Sequence, residues 1–234
     1  MDLDALIQFD RELLLFFNGS PSLYLDELVK TLTTAATWIP LYLALFYTVV
    51  KNNDSVSKIL LVLGAALLCI VFAGSVDDEI VKPLVARWRP THDAVIGSVV
   101  DTYNGYRGGD YGFFSAHASN TFSLAIFFSL LIRSRMLTFF LVLWSLLNCW
   151  TRMYLGVHFP GDILVGLLWG GVVGTLVYLL YRRIYCRLSS GMSYVSTHYT
   201  SAGYQLDDVD VVICVLFFTF IYAFLKACLA LYAN

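Results

Sequence analysis

The stretch Thr151-Arg-Met-Tyr-Leu-Gly-Val-His158-Phe-Pro160-Gly-Asp162 runs directly into Ile163-Leu-Val-Gly-Leu-Leu-Trp169-Gly-Gly-Val-Val-Gly-Thr-Leu-Val-Tyr178-Leu-Leu-Tyr181. An arginine, a histidine and an aspartate thus stand at the entrance of an apolar run long enough to cross a bilayer, which takes about 20 residues. Ionisable groups beside hydrocarbon are costly unless they pair or bind something, so their presence points to function. Pro160 suits a first helical position, and the residue before a proline is biased to extended geometry, which leaves His158 just outside the helix and Asp162 in its first turn. An acid there reaches back toward the residues preceding the helix, as in a capping box. Asp162 is therefore expected to hold one ring nitrogen of His158 and leave the other free as nucleophile or base. Without a ligand, the same residues reduce to a cap and an interfacial histidine.

Outward from this stretch, the chain repeats the pairing of apolar runs with charged thresholds. Its 234 residues are 59% hydrophobic and only 14% charged, with a mean hydropathy of +0.71. Soluble domains sit nearer half and about a quarter. The reading is one all-α, polytopic membrane domain over residues 1–234. Candidate spans are 29–50, 58–76, 117–132, 137–151, 161–181 and 209–231, about six, the third and fourth short enough to need flanking polar residues. Residues 3–17 carry Leu3, Leu6, Ile7, Leu13, Leu14, Phe16 and Phe17, interrupted by Asp10, Arg11 and Glu12. That pattern predicts an amphipathic helix lying on the membrane surface and ending near Asn18-Gly19. Residues 182–208 read as a connecting loop. Cys69, Cys149, Cys214 and Cys228 lie inside apolar runs and are expected as buried small hydrophobes, while Cys186 falls in a basic loop. No two cysteines have metal-ligand spacing. Asp2 and Asp4 stand where a cleavable leader would be basic, so targeting is expected to fall to the spans.

Lys and Arg in short loops set orientation. Lys51, Lys58, Arg133, Arg135, Arg182, Arg183 and Arg187 share one side, which is expected to be cytoplasmic. The charged patches then face outward.

Two further patches precede the opening stretch. Lys82-Pro-Leu-Val-Ala-Arg-Trp-Arg89-Pro90 brackets a short segment with prolines, Pro83 suiting a first helical position. Seven residues make close to two turns, so Lys82 and Arg89 are expected on one face. Arg87 and His92 fit contact with lipid headgroups better than chemistry. Gly112-Phe-Phe-Ser115-Ala116-His117 opens an apolar helix, with Ser115 as N-cap. The free N–H groups that follow such a cap bind phosphate readily, and His117 sits beside them. Lys82, Arg89 and Arg152 together outnumber the nearby carboxylate Asp162. The expected missing partner is an anion, and a phosphoryl group fits best, with charge that preorganised donors stabilise during transfer. No paired-carboxylate pattern for a metal lies near the histidines.

The order Lys-x6-Arg-Pro, Ser-x-His, Arg-x5-His-x3-Asp, from Lys82 to Asp162, resembles the type 2 phosphatidic acid phosphatase superfamily in its membrane branch. The resemblance implies a phosphohistidine at His158, oriented by Asp162. His117 would protonate the leaving oxygen, and Lys82, Arg89, Ser115, Ala116 and Arg152 would hold the phosphate. It implies no metal and no other cofactor. The second motif usually reads Pro-Ser-Gly-His in that family; here Phe114 and Ala116 replace the Pro and the Gly, and Thr151 stands where the third motif often has Ser. Alanine keeps its N–H donor, so only a required positive φ would disturb the cradle.

The expected activity is hydrolysis of a lipid phosphate on the outer face of a bacterial cytoplasmic membrane. The substrates implied are undecaprenyl pyrophosphate, lipid A, phosphatidic acid or phosphatidylglycerol phosphate. The partners are that lipid and the bilayer, with no nucleic acid. A phosphotransferase using the same phosphohistidine and a non-enzymatic anionic-lipid binder are the alternatives. Trp88 and the Tyr103–Tyr111 loop are candidates for the substrate mouth.

Overall fold

A computed structural model describes residues 2–188 and 197–233 of the chain, and the described residues are helical with no extended sheet. Helices are named here α1 (Leu3–Phe17), α2 (Leu23–Thr33), α3 (Ile39–Lys51), α4 (Val56–Val85), α5 (Ala116–Ile132), α6 (Arg135–Tyr154), α7 (Pro160–Leu188) and α8 (Leu206–Ala233). Among the described residues four of them, α4, α6, α7 and α8, are long and apolar enough to cross a membrane. The α2–α3 pair passes the same test together, and α5 is apolar but only 17 residues long. The expected bundle is present; its first expected span, 29–50, is instead broken at Thr34, and its two parts are bent by 65°. Backbone groups freed at a break in lipid must find partners. Here Thr34 Oγ1 donates to Lys30 O, Thr37 Oγ1 to Thr31 O and Trp38 Nε1 to Leu32 O. The Thr-rich turn therefore carries its own replacements for the lost helical bonds.

The central packing joins α5 to α7. Ser115, Ser119 and Ser123 recur every four residues from the N-cap of α5 onward, and Gly166, Gly170 and Gly174 do so on α7. A Cβ on Gly166, Gly170 or Gly174 would lie 2.8, 2.5 and 2.5 Å from the carbonyls of Ser115, Ser119 and Ser123 respectively. Small residues let two membrane helices approach this closely and gain van der Waals contact where no hydrophobic drive separates protein from lipid. The same register brings the N-terminus of α5 beside that of α7.

Helix α4 contains two wide π turns, Val71–Ser75 and Asp77–Val81, just ahead of Pro83. A proline lacks the N–H and crowds the preceding turn, so a regular ladder cannot pass through it. Ser119 Oγ donates to Ala73 O at 2.9 Å and Trp169 Nε1 to Phe72 O at 3.0 Å, tying the widened segment to α5 and α7. Pro83 thus lies inside the last turn of a long helix and not at the start of a short one. Ala86 then adopts the left-handed conformation (φ 49°) and stops the helix. Arg89 therefore does not share a helical face with Lys82, contrary to the two-turn spacing.

Helix α1 is the expected amphipathic element. Leu14 is fully buried against Ile96, Val100 and Phe159, while Leu3, Leu6, Phe9 and Phe16 point outward. Helix α7 runs on past the expected end of its span through Arg182, Arg183 and Arg187, so Cys186 is helical, not in a loop. The rest of the expected 182–208 connection includes residues 189–196, outside the described residues; Tyr199 and Gln205 pair just before α8. Cys69 and Cys149 are buried, but Cys214 and Cys228 lie on the outer surface of the bundle, where a sulfur faces the surroundings as readily as any apolar group.

Candidate active site

The three charged patches meet where α5 and α7 begin, α4 ends and α6 ends. Ser115 caps α5, its Oγ accepting from Ala118 N at 3.4 Å, and its own N–H donates to Asp162 O at 3.1 Å. This cap was legible from the residue type; the bond to Asp162 is a product of the Ser–Gly packing below it. Ala116 is the first helical residue and is not among the residues of positive φ, so alanine in place of the usual glycine is accommodated without strain. The first N–H groups of α5 lack helical acceptors and are available to an anion.

His158 is 3% exposed. Its Nδ1 lies 2.9 Å from Gly112 O, and a carbonyl only accepts, so Nδ1 carries the proton and Nε2 presents its lone pair. Burial, and then the nearby charges of Arg89, Lys82 and Arg152, push this imidazole well below its ordinary value, so the ring is neutral. Arg89 Nη1 stands 3.3 Å from Nε2. The guanidinium is fixed by its Nε donating to Tyr111 O and Nη1 to Val157 O, both at 3.1 Å.

Asp162 departs from the expected bond to the ring. It is fully buried, but its Oδ2 lies 3.8 Å from His158 Nδ1. That oxygen instead accepts from Phe159 N at 3.0 Å, as a third-position acid does at a helix start. Its Oδ1 accepts from Arg87 Nη1 at 2.7 Å. A buried carboxylate is stabilised most by a cation and a backbone donor, and both are in place; the Gly112 carbonyl orients the imidazole.

Arg152 is 5% exposed and closes the last turn of α6, where a cation suits the helix dipole. Its Nε donates to Thr151 Oγ1 at 3.3 Å, and its Nη1 lies 3.5 Å from Nε2 of His117, which opens to the surface. Lys82 differs from the expected free cation. Its Nζ lies 3.1 Å from buried Asp77 Oδ2 and also pairs with Asp78. Asp77 in turn accepts from Phe114 N at 3.0 Å, pinning the segment that leads into Ser115. Among the described residues Arg89 and Arg152 make no ion pair with a carboxylate. The unmatched charge is thus carried by two arginines, one against each histidine, rather than by three cations.

Sequence reasoning passed over Asp77, Gly112, Arg87 and Asp10. Asp77 had a signal, being a carboxylate within an apolar helix. Arg87 does not point to headgroups; its guanidinium bridges Asp162 and Asp10 over the ring of Phe159. His92 stays outside this cluster, its Nδ1 beside Thr91 Oγ1 and its ring 6.4 Å from Trp88. Trp88 and Tyr106 are half exposed on the loops around the site, with Trp88 packed on Tyr111.

Comparison with known proteins adds four findings. Residues 58–186 match the family model of the PAP2 superfamily. A lipid A 4'-phosphatase of Bacteroides thetaiotaomicron is 40% identical over 189 residues, 80% of this chain and 84% of that protein. A lipid A 4'-phosphatase of Porphyromonas gingivalis is 35% identical over 182 residues, 76% of this chain and 75% of that protein. Among solved structures, the transmembrane PAP2-type phosphatidylglycerolphosphate phosphatase of Bacillus subtilis superposes with a TM-score of 0.52 at 18% identity, covering 80% of this chain and 90% of that one, a likeness of fold.

Proposed function

Because the chain belongs to the PAP2 superfamily and is a multi-pass membrane phosphatase acting on lipid phosphates, we propose that it hydrolyses a phosphate monoester of lipid A type through a phosphohistidine at His158. The observation that carries this reading is a neutral, buried His158 against Arg89, with Arg152 against His117, two arginines whose charges no carboxylate matches among the described residues. Nε2 attacks phosphorus in line and the P–O ester bond breaks. His117 gives a proton to the departing oxygen, then takes one from the water that cleaves the phosphohistidine and releases inorganic phosphate. Arg89, Arg152, Ser115, Ala116 and the start of α5 hold the phosphoryl oxygens, with Lys82 behind them on Asp77 and Asp78. Asp162 fixes the helix start that follows His158. The two lipid A 4'-phosphatases favour a phosphorylated glycolipid over the other three expected substrates. The substrate keeps its acyl chains in the bilayer while its headgroup meets the site at the surface.

The test is phosphate release by detergent-purified protein from lipid A, undecaprenyl pyrophosphate, phosphatidic acid and phosphatidylglycerol phosphate, in EDTA. The preferred substrate is expected to be lipid A, with its 4'-phosphate lost, and release is expected to survive the chelator. Preference for another lipid of the four would overturn the substrate assignment. Phosphate appearing on an added lipid acceptor with little free phosphate would replace hydrolysis by transfer.

A further inference from the structure

Outside the phosphate cradle one group of charges is built with equal care. Asp10 of α1 is separated from Arg87 by 77 residues in sequence, yet its Oδ2 accepts from Arg87 Nη2 at 2.6 Å. The other fork of the same guanidinium, Nη1, donates to Asp162 Oδ1 at 2.7 Å. Asp10 Oδ1 accepts from Gly161 N at 2.7 Å, which closes a ring of contacts through Gly161, Asp162, Arg87 and Asp10. The Arg87 guanidinium lies 4.2 Å above the ring of Phe159, the residue that follows His158. Space at Gly161 is taken up by Asp10, whose Oδ2 would stand 3.0 Å from an added Cβ. Asp162 is fully buried, and Arg87 and Asp10 are 28% and 15% exposed, so the network is shielded and its geometry is fixed. Arginine suits the place because a planar fork serves two carboxylates at once, which a single ammonium does not.

Phe159, Gly161 and Asp162 are therefore each held either by α1 or by the arginine that α1 holds. We infer that Asp10 and Arg87 are positioning residues for His158, so that the surface helix α1 is part of the catalytic unit and not only a lipid-seated arm. The inference rests on the phosphohistidine reading. It also explains why a helix with Leu3, Leu6, Phe9 and Phe16 turned outward spends polar residues on its inner face. Arg11 forms a second tether to Asp93 at 2.9 Å, away from His158. That tether supplies the control.

The experiment measures kcat and KM for phosphate release from lipid A by Asp10→Ala, Asp10→Asn, Arg87→Gln, the double variant Asp10→Ala/Arg87→Gln, and Asp93→Asn. His158→Ala sets the zero of activity, and thermal midpoints in detergent report folding. Arg87→Gln is expected to lower kcat about 10- to 100-fold, the usual range for residues that orient a reacting group, with KM changed less than about threefold. Asp10→Asn should fall less than Asp10→Ala, because the amide keeps an acceptor for Gly161. The double variant should fall no further than the worse single, since both act through one network. Asp93→Asn should lose thermal midpoint while keeping kcat. Wild-type kcat in Arg87→Gln, strictly multiplicative losses, or an equal kcat loss in Asp93→Asn would overturn the inference. Should Arg87→Gln fail to fold, the Asp10→Asn and Asp10→Ala pair decides by the same kcat criterion. Activity surviving in His158→Ala would instead overturn the nucleophile assignment on which the inference stands, a separate and recognisable result.

Discussion

At the residue scale the chemistry turns on which nitrogen of His158 is free. Gly112 O accepts from Nδ1, so Nε2 faces Arg89 unprotonated, as the proposed nucleophile requires. Burial and the surrounding cations lower the affinity of this imidazole for protons, and the proposed attack uses the neutral ring. The sign follows directly: as pH falls through the ordinary histidine value of about 6.5, the ring stays neutral and reactive. The enzyme-borne acid limb of kcat/KM is expected below pH 6.5, separate from the second ionisation of the phosphate ester near about 6. A limb at pH 7 or above, in a profile corrected for substrate ionisation, would contradict the tautomer and field described here. His117 carries a different signature. His117→Ala is expected to lose about 10²- to 10⁴-fold with a lipid alkoxide as leaving group. Most of that loss should vanish with an aryl phosphate, whose leaving oxygen needs no proton. Asp77 supports the same centre from behind. Asp77→Ala leaves partly buried Lys82 with Asp78 alone and the buried Phe114 N without its acceptor, an unmade bond that costs about 1–3 kcal/mol, to be read as a drop in thermal midpoint.

At the element scale the site depends on how closely α5 and α7 approach. A methyl on Gly170 would stand 2.5 Å from Ser119 O, which is backbone and does not yield cheaply. Gly170→Ala is therefore expected to cost about 1–3 kcal/mol by overpacking and to lower activity with it, because Ser115 and Asp162 ride on the same two helices. Gly64→Ala is the matched control: nothing lies within 4 Å of its Cβ position, and alanine favours a helix by about 1 kcal/mol. Equal melting temperatures for the two variants would argue against the Ser–Gly contact as the feature that sets the site. Local rules explain what the sequence made legible here. Ser115 as cap and Pro160 as helix start follow from residue type and position, and both stand in the structure. The break at Thr34 had signals in Thr33-Thr34 and Pro40, but the length of the apolar run 29–50 concealed them. Helical spacing placed Arg89 on the face of Lys82; the left-handed Ala86 between them has no side-chain signature that would announce it. The bonds of Asp10 and of Gly112 O join residues far apart in sequence, and no periodicity encodes such contacts.

At the scale of the whole molecule the charges are sorted by end. Asn52, Asn53, Arg133, Arg182 and Tyr185 gather around one cavity, at the end of the bundle away from His158. Basic residues in short loops mark the cytoplasmic side, so the phosphate site is expected on the outer one. In a background with the five native cysteines replaced by serine, Ser98→Cys should react with a membrane-impermeant maleimide added to intact spheroplasts, and Asp54→Cys should not. The reverse pattern would invert the molecule. An outward site would suit a lipid whose phosphate is displayed at that surface, and the bent α2–α3 pair and the aromatic loops around Trp88 lie outside the candidate cluster itself. The most direct measurement is the rate of phosphate release from purified lipid A by the wild type and by His158→Ala, in EDTA. Release from the wild type with product lacking the 4'-phosphate, and none above background from folded His158→Ala, is the expected result. Release of equal rate from both proteins would contradict a phosphohistidine at His158, and with it the central assignment.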